Sequence, residues 1–178
     1  QEESMPLQGA IQGNGEASPL FVAISCVLLN FLESYVYGFK IQAAITLTTI
    51  AVVAIMYVDD TDLLIAAKSY HEPITKVMNR TQRAIKVWRQ GVMQTGGALR
   101  PEKCKWYLIN FRWKAGKWSY AKIQDVPATM YLKDTNGMTM EIEQLSASDG
   151  LTGLGVCVAP DGNHVGQVNE FLSETPGK

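Results

Sequence analysis

Residues 50–67, IAVVAIMYVDDTDLLIAA, place two adjacent carboxylates between two apolar segments. Residues 50–56 form a short, β-branched-rich run, so we expect a buried strand there. Residues 63–67 are apolar again and are expected to pair back as a hairpin. Asp59 and Asp60 then lie at its tip, where their like charges repel unless a divalent cation neutralises them. Because Mg²⁺ prefers oxygen ligands, the stretch predicts a hard-cation site on a β-hairpin.

Composition limits the class of protein. The chain has 178 residues with 47% hydrophobic and 19% charged side chains, which is enough for a folded core and excludes a disordered chain. Its net charge of −1 lacks the strong basic excess of a nucleic-acid binder, although basic residues cluster locally. The three cysteines show no disulfide or metal-binding spacing. We therefore expect an intracellular protein, cytoplasmic or nuclear.

Two helices are predicted in the first half of the chain. Ser18 is a good N-cap and Pro19 a good first residue for a buried helix over residues 19–33. A strand region is expected over residues 41–58. A second amphipathic helix is expected from about Pro73, with basic residues on its outer side, and Gly96-Gly97 should end it.

The second half of the chain has turn signals typical of β-hairpins. Asn136-Gly137 is a strong one, and residues 114–117 separate two tryptophans. Another turn is expected at Asp161-Gly162, and residues from about Glu170 should form a frayed tail. We expect the aromatic residues of this part to belong to the sheet core rather than to stack on bases; they are Trp113, Trp118, Tyr120 and Tyr131.

Three motifs follow one another in an order known from one enzyme family. Gln12-Gly13 precedes Ser18-Pro19, then come Tyr57-Val58-Asp59-Asp60 and Pro101-Glu102-Lys103-Cys104. In this order the chain resembles a reverse transcriptase (RNA-directed DNA polymerase) of a eukaryotic retroelement over about residues 8–111. The family usually has three residues between Gln-Gly and Ser-Pro, whereas this chain has four. Taken singly, each motif is also compatible with a flexible or solvated loop.

The resemblance implies roles for the matched residues. Asp59 and Asp60 would be catalytic and would hold two Mg²⁺ (or Mn²⁺) ions that activate a primer 3′-OH and stabilise the leaving pyrophosphate. Lys103 would be the general acid for that leaving group. Leu154 and Gly155 loosely match the strand that grips the primer. The residues expected to bind substrate or template are Gln12, Gly13, Asn14, Ser18, Pro19 and Tyr57.

The implied fold is α+β, a polymerase palm-type antiparallel sheet with packed helices. Residues 1–111 would be palm-like, residues 112–169 a β-rich extension near the primer grip or thumb, and residues 170–178 a tail. The implied partners are an RNA or DNA template–primer and a deoxynucleotide, with no membrane and no known protein partner. The family needs a further Asp on an upstream strand, yet no Asp precedes Asp59, and the upstream fingers are missing too. We therefore expect a piece of a longer polymerase that is inactive alone.

Two alternatives remain open at this point. Residues 17–32 and 41–58 are long and uncharged, so a membrane protein with a helical hairpin is one of them. A degenerate retroelement relic without activity is the other, since the longer spacing after Gln12-Gly13 is compatible with decay.

Overall fold

A computed structural model describes residues 17–57, 60–153 and 156–174 of the chain. In these ranges the fold is mixed α+β, with three α-helices and several small, mostly antiparallel sheets. The chain divides into two compact units, Gln1–Leu99 and Arg100–Lys178. The predicted boundary at residue 111 lies inside the second unit.

The first unit contains two helices and two antiparallel hairpins. β1 pairs with β2, and β3 pairs with β4. The elements in chain order are α1 (Ala17–Glu33), β1 (Phe39–Gln42), β2 (Thr49–Val52), β3 (Ala54–Tyr57), β4 (Asp60–Leu63) and α2 (Ile74–Gln94).

Both predicted helices are present, with two corrections to the first. The expectation of a buried helix is wrong, because Leu28 and Leu32 are buried but most of its side chains, such as Val27, are exposed. α1 already includes Ala17, so Ser18 lies inside the helix instead of capping it. Pro73 precedes the first residue of α2, and the Thr95 and Gly97 N–H groups both donate to the Val92 carbonyl at its C-terminal end. The glycine pair after the helix therefore ends it as expected.

The predicted strand region at residues 41–58 is wrong as one continuous segment. Residues 43–48 form a turn in which the Ala43 N–H donates to the Thr48 carbonyl at 2.9 Å. The Thr46 hydroxyl accepts the Thr48 N–H at 3.4 Å. Leu47 adopts a positive φ of 57°. Threonine favours strands, but here a local side-chain bond to the backbone competes with the ladder.

The core of the first unit lies between the helices and the β3–β4 hairpin. Gly91 is buried in α2 and faces α1, where a Cβ would lie 2.9 Å from Cδ2 of Leu28. The two helices therefore approach closely at a residue without a side chain. The buried residues of this core are Leu28, Leu32, Val53, Ala84, Val87 and Trp88.

The second unit contains seven short strands and one helix among its described residues. β5, β9 and β8 form one sheet in that order, in which β5 runs parallel to β9 and β8 antiparallel to it. The elements are β5 (Lys105–Tyr107), β6 (Phe111–Lys114), β7 (Lys117–Tyr120), β8 (Met130–Lys133), β9 (Thr139–Leu145), β10 (Leu151–Gly153), β11 (Val156–Val158) and α3 (Val165–Glu174).

A buried tryptophan joins two strands of that sheet. Trp106 packs in the core, and its Nε1–H donates to the Ile142 carbonyl at 3.2 Å. Met130 and Leu132 of β8 are also buried. Indole therefore contributes both apolar area and a satisfied donor to this core.

The predicted turns are confirmed, but the predicted tail begins too early. Gly116, Gly137 and Gly162 have φ values near +80°, as tight turns at these places require. α3 extends to Glu174, so residues 170–174 are helical and not a frayed tail. Residues 175–178 lie outside the described part of the chain.

The second long apolar run does not form a helix. Residues 39–57 contain the strands β1, β2 and β3 instead of the second helix of a helical hairpin. Among the residues described, none of the helices has the length and apolar character needed to cross a bilayer.

Candidate functional site

The predicted acidic hairpin is present, with a tighter register than expected. Tyr57 pairs with Asp60, and Ile55 pairs with Asp62. The return strand therefore begins at Asp60, whereas the sequence had placed it at residues 63–67. Val58 and Asp59 lie outside the described residues.

The register decides which side chains share a face of the hairpin. Because alternate residues of a strand point the same way, Tyr57, Ile55, Asp60 and Asp62 lie on one face. All four are exposed, and Ile55 and Tyr57 keep 56% and 58% of their accessible surface. The expectation of a fully buried strand is therefore wrong.

The opposite face of the hairpin packs on the core of the first unit. Ala54, Met56 and Leu63 are partly buried against that core. One face is thus fixed by apolar packing and the other presents carboxylates to solvent. Asp62 is the residue that the motif did not assign, although its spacing of two from Asp60 was visible in the sequence.

Backbone bonds hold the hairpin to the segment after α1. Gly38 bridges to Ile65, and the Ala66 N–H donates to the Tyr37 carbonyl at 3.1 Å. A Cβ at Gly38 would lie 2.5 Å from the Val52 carbonyl oxygen, so only glycine fits this crossing. The acidic face therefore stands on a scaffold anchored at its base.

One of the predicted outer basic residues of α2 is instead part of that scaffold. Arg80 donates to the Ala66 carbonyl at 2.6 Å and forms an ion pair with Glu72. The hydrogen bond from Arg80, followed by the Lys68 N–H bond, holds the pKa of Glu72 below its usual range. The Arg80 guanidinium also lies 5.8 Å from the centre of the Tyr37 ring. Arg80 thus ties the loop after β4 to α2.

Lys103 lies in the second unit, at the end of the short 3₁₀ turn Pro101–Lys103. Its side chain is exposed. Next to it, Arg100 bonds to the Glu102 carboxylate at 2.7 Å. Burial, and to a smaller degree the charge of Glu102, raises the pKa of the Cys104 thiol. The structure shows a lysine that is open to solvent at the last position of a turn.

The remaining motif residues fall mostly outside the described ranges. Ser18 is described only by its backbone within α1, and Pro19 is exposed there. The predicted residues outside the described part are Gln12, Gly13, Asn14, Asp59, Leu154 and Gly155.

The described carboxylates are of the ligand type that a hard cation prefers, but they are too few to hold one. Asp60 and Asp62 offer oxygen ligands on one exposed face, which is the ligand type that Mg²⁺ takes. Within the described residues, no group of three His, Cys, Asp or Glu side chains is placed to hold a metal ion. A complete site would need Asp59 and at least one more ligand.

Three of the four aromatic residues expected in the sheet core lie on the surface, and the fourth, Tyr120, is half-buried. Trp113 and Trp118 keep 61% and 60% of their accessible surface, and Tyr131 is exposed as well. The prediction was wrong because alternation identifies the two faces of a strand but not which face another element covers. The signal for a surface hairpin was the short sequence between the tryptophans, which is basic and carries no acidic residue.

Comparisons with known proteins give no relative. No protein-family model, curated protein or solved structure matches this chain.

Proposed function

We propose that this chain is part of a polymerase palm-type domain of a reverse transcriptase-like protein. In the complete protein it transfers a deoxynucleotide to a primer 3′-OH on an RNA or DNA template. The observation that supports this most is the hairpin in which Tyr57 pairs with Asp60. A palm-type catalytic strand pair needs this arrangement, in which acidic residues stand at a hairpin end on a face open to substrate.

Asp59 and Asp60 are the proposed ligands of Mg²⁺ or Mn²⁺. Bound there, the ions would supply charge stabilisation for phosphoryl transfer. Asp62 lies on the same face as Asp60 and adds negative potential that attracts a cation. Tyr57 presents an exposed ring beside these carboxylates, at the place where a primer end or a nucleotide base would stack.

The other residues act by position and charge in this proposal. Lys103 is exposed and is the proposed proton donor to pyrophosphate. Ser18 and Pro19 in the first turns of α1, with the preceding Gln12-Gly13, are the proposed template contacts.

The described carboxylates are too few for catalysis, which is why we expect this chain to be inactive alone. Two-metal sites rely on several ligands that clamp both ions. A further Asp on a strand beside the hairpin would supply the missing ligand.

Metal binding gives the first test. Mn²⁺ added to the chain is followed by the loss of the free-ion electron paramagnetic resonance signal. We expect weak binding that the Asp59→Asn/Asp60→Asn variant abolishes. The matched control, Glu33→Gln/Glu141→Gln, removes the same charge from exposed positions elsewhere and should bind as the wild type does. Equal binding by all three proteins would refute the metal site.

Catalysis is tested on the longest in-frame product of the gene that contains these residues. If it includes an Asp-bearing strand upstream, primer extension with Mg²⁺ should be detectable and should vanish in the Asp59→Asn/Asp60→Asn variant. Primer extension by the 178-residue chain itself, above that double variant, would contradict the proposed need for a further ligand. If the longer product carries such an Asp and still does not extend a primer, the polymerase proposal fails and a relic is the better account.

A further inference from the structure

The β6–β7 hairpin has one face made entirely of aromatic rings. Phe111 pairs with Tyr120, and Trp113 pairs with Trp118. Because alternate residues share a face, the four rings lie together. The ring centroids are 4.7 Å apart in the first pair and 5.2 Å apart in the second. The two pairs are two residues apart along the strand, which corresponds to about 6.8 Å.

The same hairpin is purely basic in its charge. Residues 111–120 contain three cations and no acidic side chain. Arg112 is held by Asp125, with Nη1 lying 3.4 Å from Oδ1. Lys114 and Lys117 pair across the strands beside the turn, so two like charges are neighbours there, and by the same alternation they lie on the face opposite the rings. An anionic ligand at the turn would relieve this repulsion.

The hairpin is anchored at its base and exposed along its length. The Tyr120 hydroxyl donates to the Pro160 carbonyl at 3.0 Å, and the Ala121 N–H donates to the Asn110 carbonyl at 2.8 Å. Residues 111–119 are all exposed. A contiguous patch of exposed aromatic rings is more typical of an interaction site than of the rest of a protein surface.

We propose that this aromatic face binds single-stranded nucleic acid, with bases stacked on the two ring pairs and phosphates close to Lys114 and Lys117. Ring faces stack on any base, and lysines neutralise phosphates by releasing counterions. The spacing of about 6.8 Å is twice the 3.4 Å between neighbours on one strand of a duplex, so each ring pair accepts one base of an extended strand. Bases in a duplex are stacked on each other, and therefore a duplex should bind more weakly.

The position of the charges favours nucleic acid over a membrane surface. A hairpin that inserts into a bilayer carries its apolar residues at the tip, whereas this tip is Lys114-Ala115-Gly116-Lys117. Insertion would bury two ammonium groups at a large cost. A polyanion with exposed bases can stack on the rings and reach the two lysines around the tip of the turn.

This inference goes beyond the proposed catalytic function and does not depend on it. Base stacking and phosphate contacts need no divalent cation. Binding is therefore measured in EDTA, where the metal site cannot contribute, so that either proposal can fail without the other.

The experiment measures fluorescence anisotropy of a labelled oligothymidylate titrated with the full chain. We expect binding that Trp113→Ala/Trp118→Ala weakens about tenfold or more, as loss of base stacking predicts. Lys114→Gln/Lys117→Gln should lower the slope of log affinity against log salt by about 1.4, because single-strand contacts contribute about 0.7 per phosphate.

Matched variants separate this site from general charge and from misfolding. Trp113→Phe/Trp118→Phe keeps ring faces and should retain most of the affinity. Lys76→Gln/Lys86→Gln removes the same charge from exposed positions of α2 and should leave the salt slope unchanged. These two results, together with weaker duplex binding, would support the site.

Several outcomes would overturn the proposal. One is that the wild type does not bind the oligothymidylate. Another is that Lys76→Gln/Lys86→Gln lowers the salt slope as much as Lys114→Gln/Lys117→Gln does. A third is that Trp113→Ala/Trp118→Ala binds with the affinity of the wild type. It would also be overturned if the tryptophans were needed only for binding to phosphatidylserine vesicles. The same holds if they were needed only for dimerisation seen by sedimentation.

Discussion

Replacing Gly91 with alanine tests the contact between α1 and α2 that supports the acidic hairpin. Two effects of opposite sign meet at this position. In a helix interior, alanine is more favourable than glycine by about 0.8–1 kcal/mol. The new Cβ, however, would lie 2.9 Å from Cδ2 of Leu28 and 3.7 Å from Cδ1 of Phe31.

The crowding decides the sign in the wild-type background. Leu28 is only 9% exposed and belongs to the core, so its side chain has little room to move. Overpacking a core costs about 1–3 kcal/mol. After the gain in helix propensity is subtracted, Gly91→Ala should destabilise the protein by about 0–2 kcal/mol. In a Leu28→Ala background the clash is absent, and the same change should stabilise by about 1 kcal/mol.

A double-mutant cycle measured by urea unfolding separates these effects. The free energies of unfolding of the wild type, Gly91→Ala, Leu28→Ala and the double variant should give a coupling of about 1–3 kcal/mol. The control is Gln90→Ala, an exposed neighbour in α2 whose effect should be the same in both backgrounds. Additivity of Gly91→Ala and Leu28→Ala within about 0.5 kcal/mol would refute the close approach of the two helices.

Three further predictions concern ionisation, thiol reactivity and turn geometry. The folded pKa of Glu72 lies below its ordinary value of 4.5, so its contribution to stability is present above that pH and is lost as the pH falls through the folded pKa. Glu72→Gln should therefore be less stable at neutral pH, and its free energy of unfolding should depend less on pH below 4.5; unchanged acid dependence would contradict the ion pair. Burial raises the pKa of the Cys104 thiol, so iodoacetamide should modify Cys104 more slowly than the exposed Cys26. Peptide mass spectrometry measures both rates, and equal rates would argue against the burial of Cys104. Gly137 has a φ of 82° and open space around it, so Gly137→Ala should lower the free energy of unfolding in urea by about 1 kcal/mol. The control is Gly153→Ala, where the space is open but φ is not positive, and the loss there should be less than half as large.

Local signals explain which parts of the fold could be predicted. Pro73 and Gly96-Gly97 bound α2 because proline and glycine act on their own backbone, whatever the rest of the chain does. Gly137 marks its turn for the same reason. In contrast, the turn at residues 43–48 is closed by backbone bonds and by the Thr48 N–H bond to the Thr46 hydroxyl, which have no strong sequence signal. This turn divides a segment that we expected to be continuous.

Burial was harder to predict because it depends on distant residues. Trp106 and Trp113 are both tryptophans on short strands of the second unit, but the first lies in the core and the second is largely exposed. The difference arises because β5 joins β9 in a three-stranded sheet, while β6 pairs only with β7. The local signal is the basic sequence 114–117 after Trp113, whereas the strand pairing that buries Trp106 depends on residues far along the chain.

The acidic hairpin could be predicted from its sequence motif, but the set of side chains on its exposed face could not. Tyr57 and Asp60 were found from their spacing, and the hairpin that contains them is present. Asp62 was left without a role because the motif ends before it. The observed register places Asp62 on the same face as Asp60. The spacing of two residues could have indicated this, because alternate residues of a strand share a face.

Asp60, a proposed metal ligand, and the exposed apolar side chains occur on the same face of one hairpin. Ile55 and Tyr57 stand open to solvent beside Asp60 and Asp62, although a two-stranded ribbon gains little stability without further strands. A strand paired along the edge of β3 or β4 would place side chains beside Ile55. If it carried a carboxylate at the level of Asp60, it would also add a further ligand to the proposed metal site. A single added strand would therefore account for both features, and a relic that never had such a strand would need a separate explanation for each.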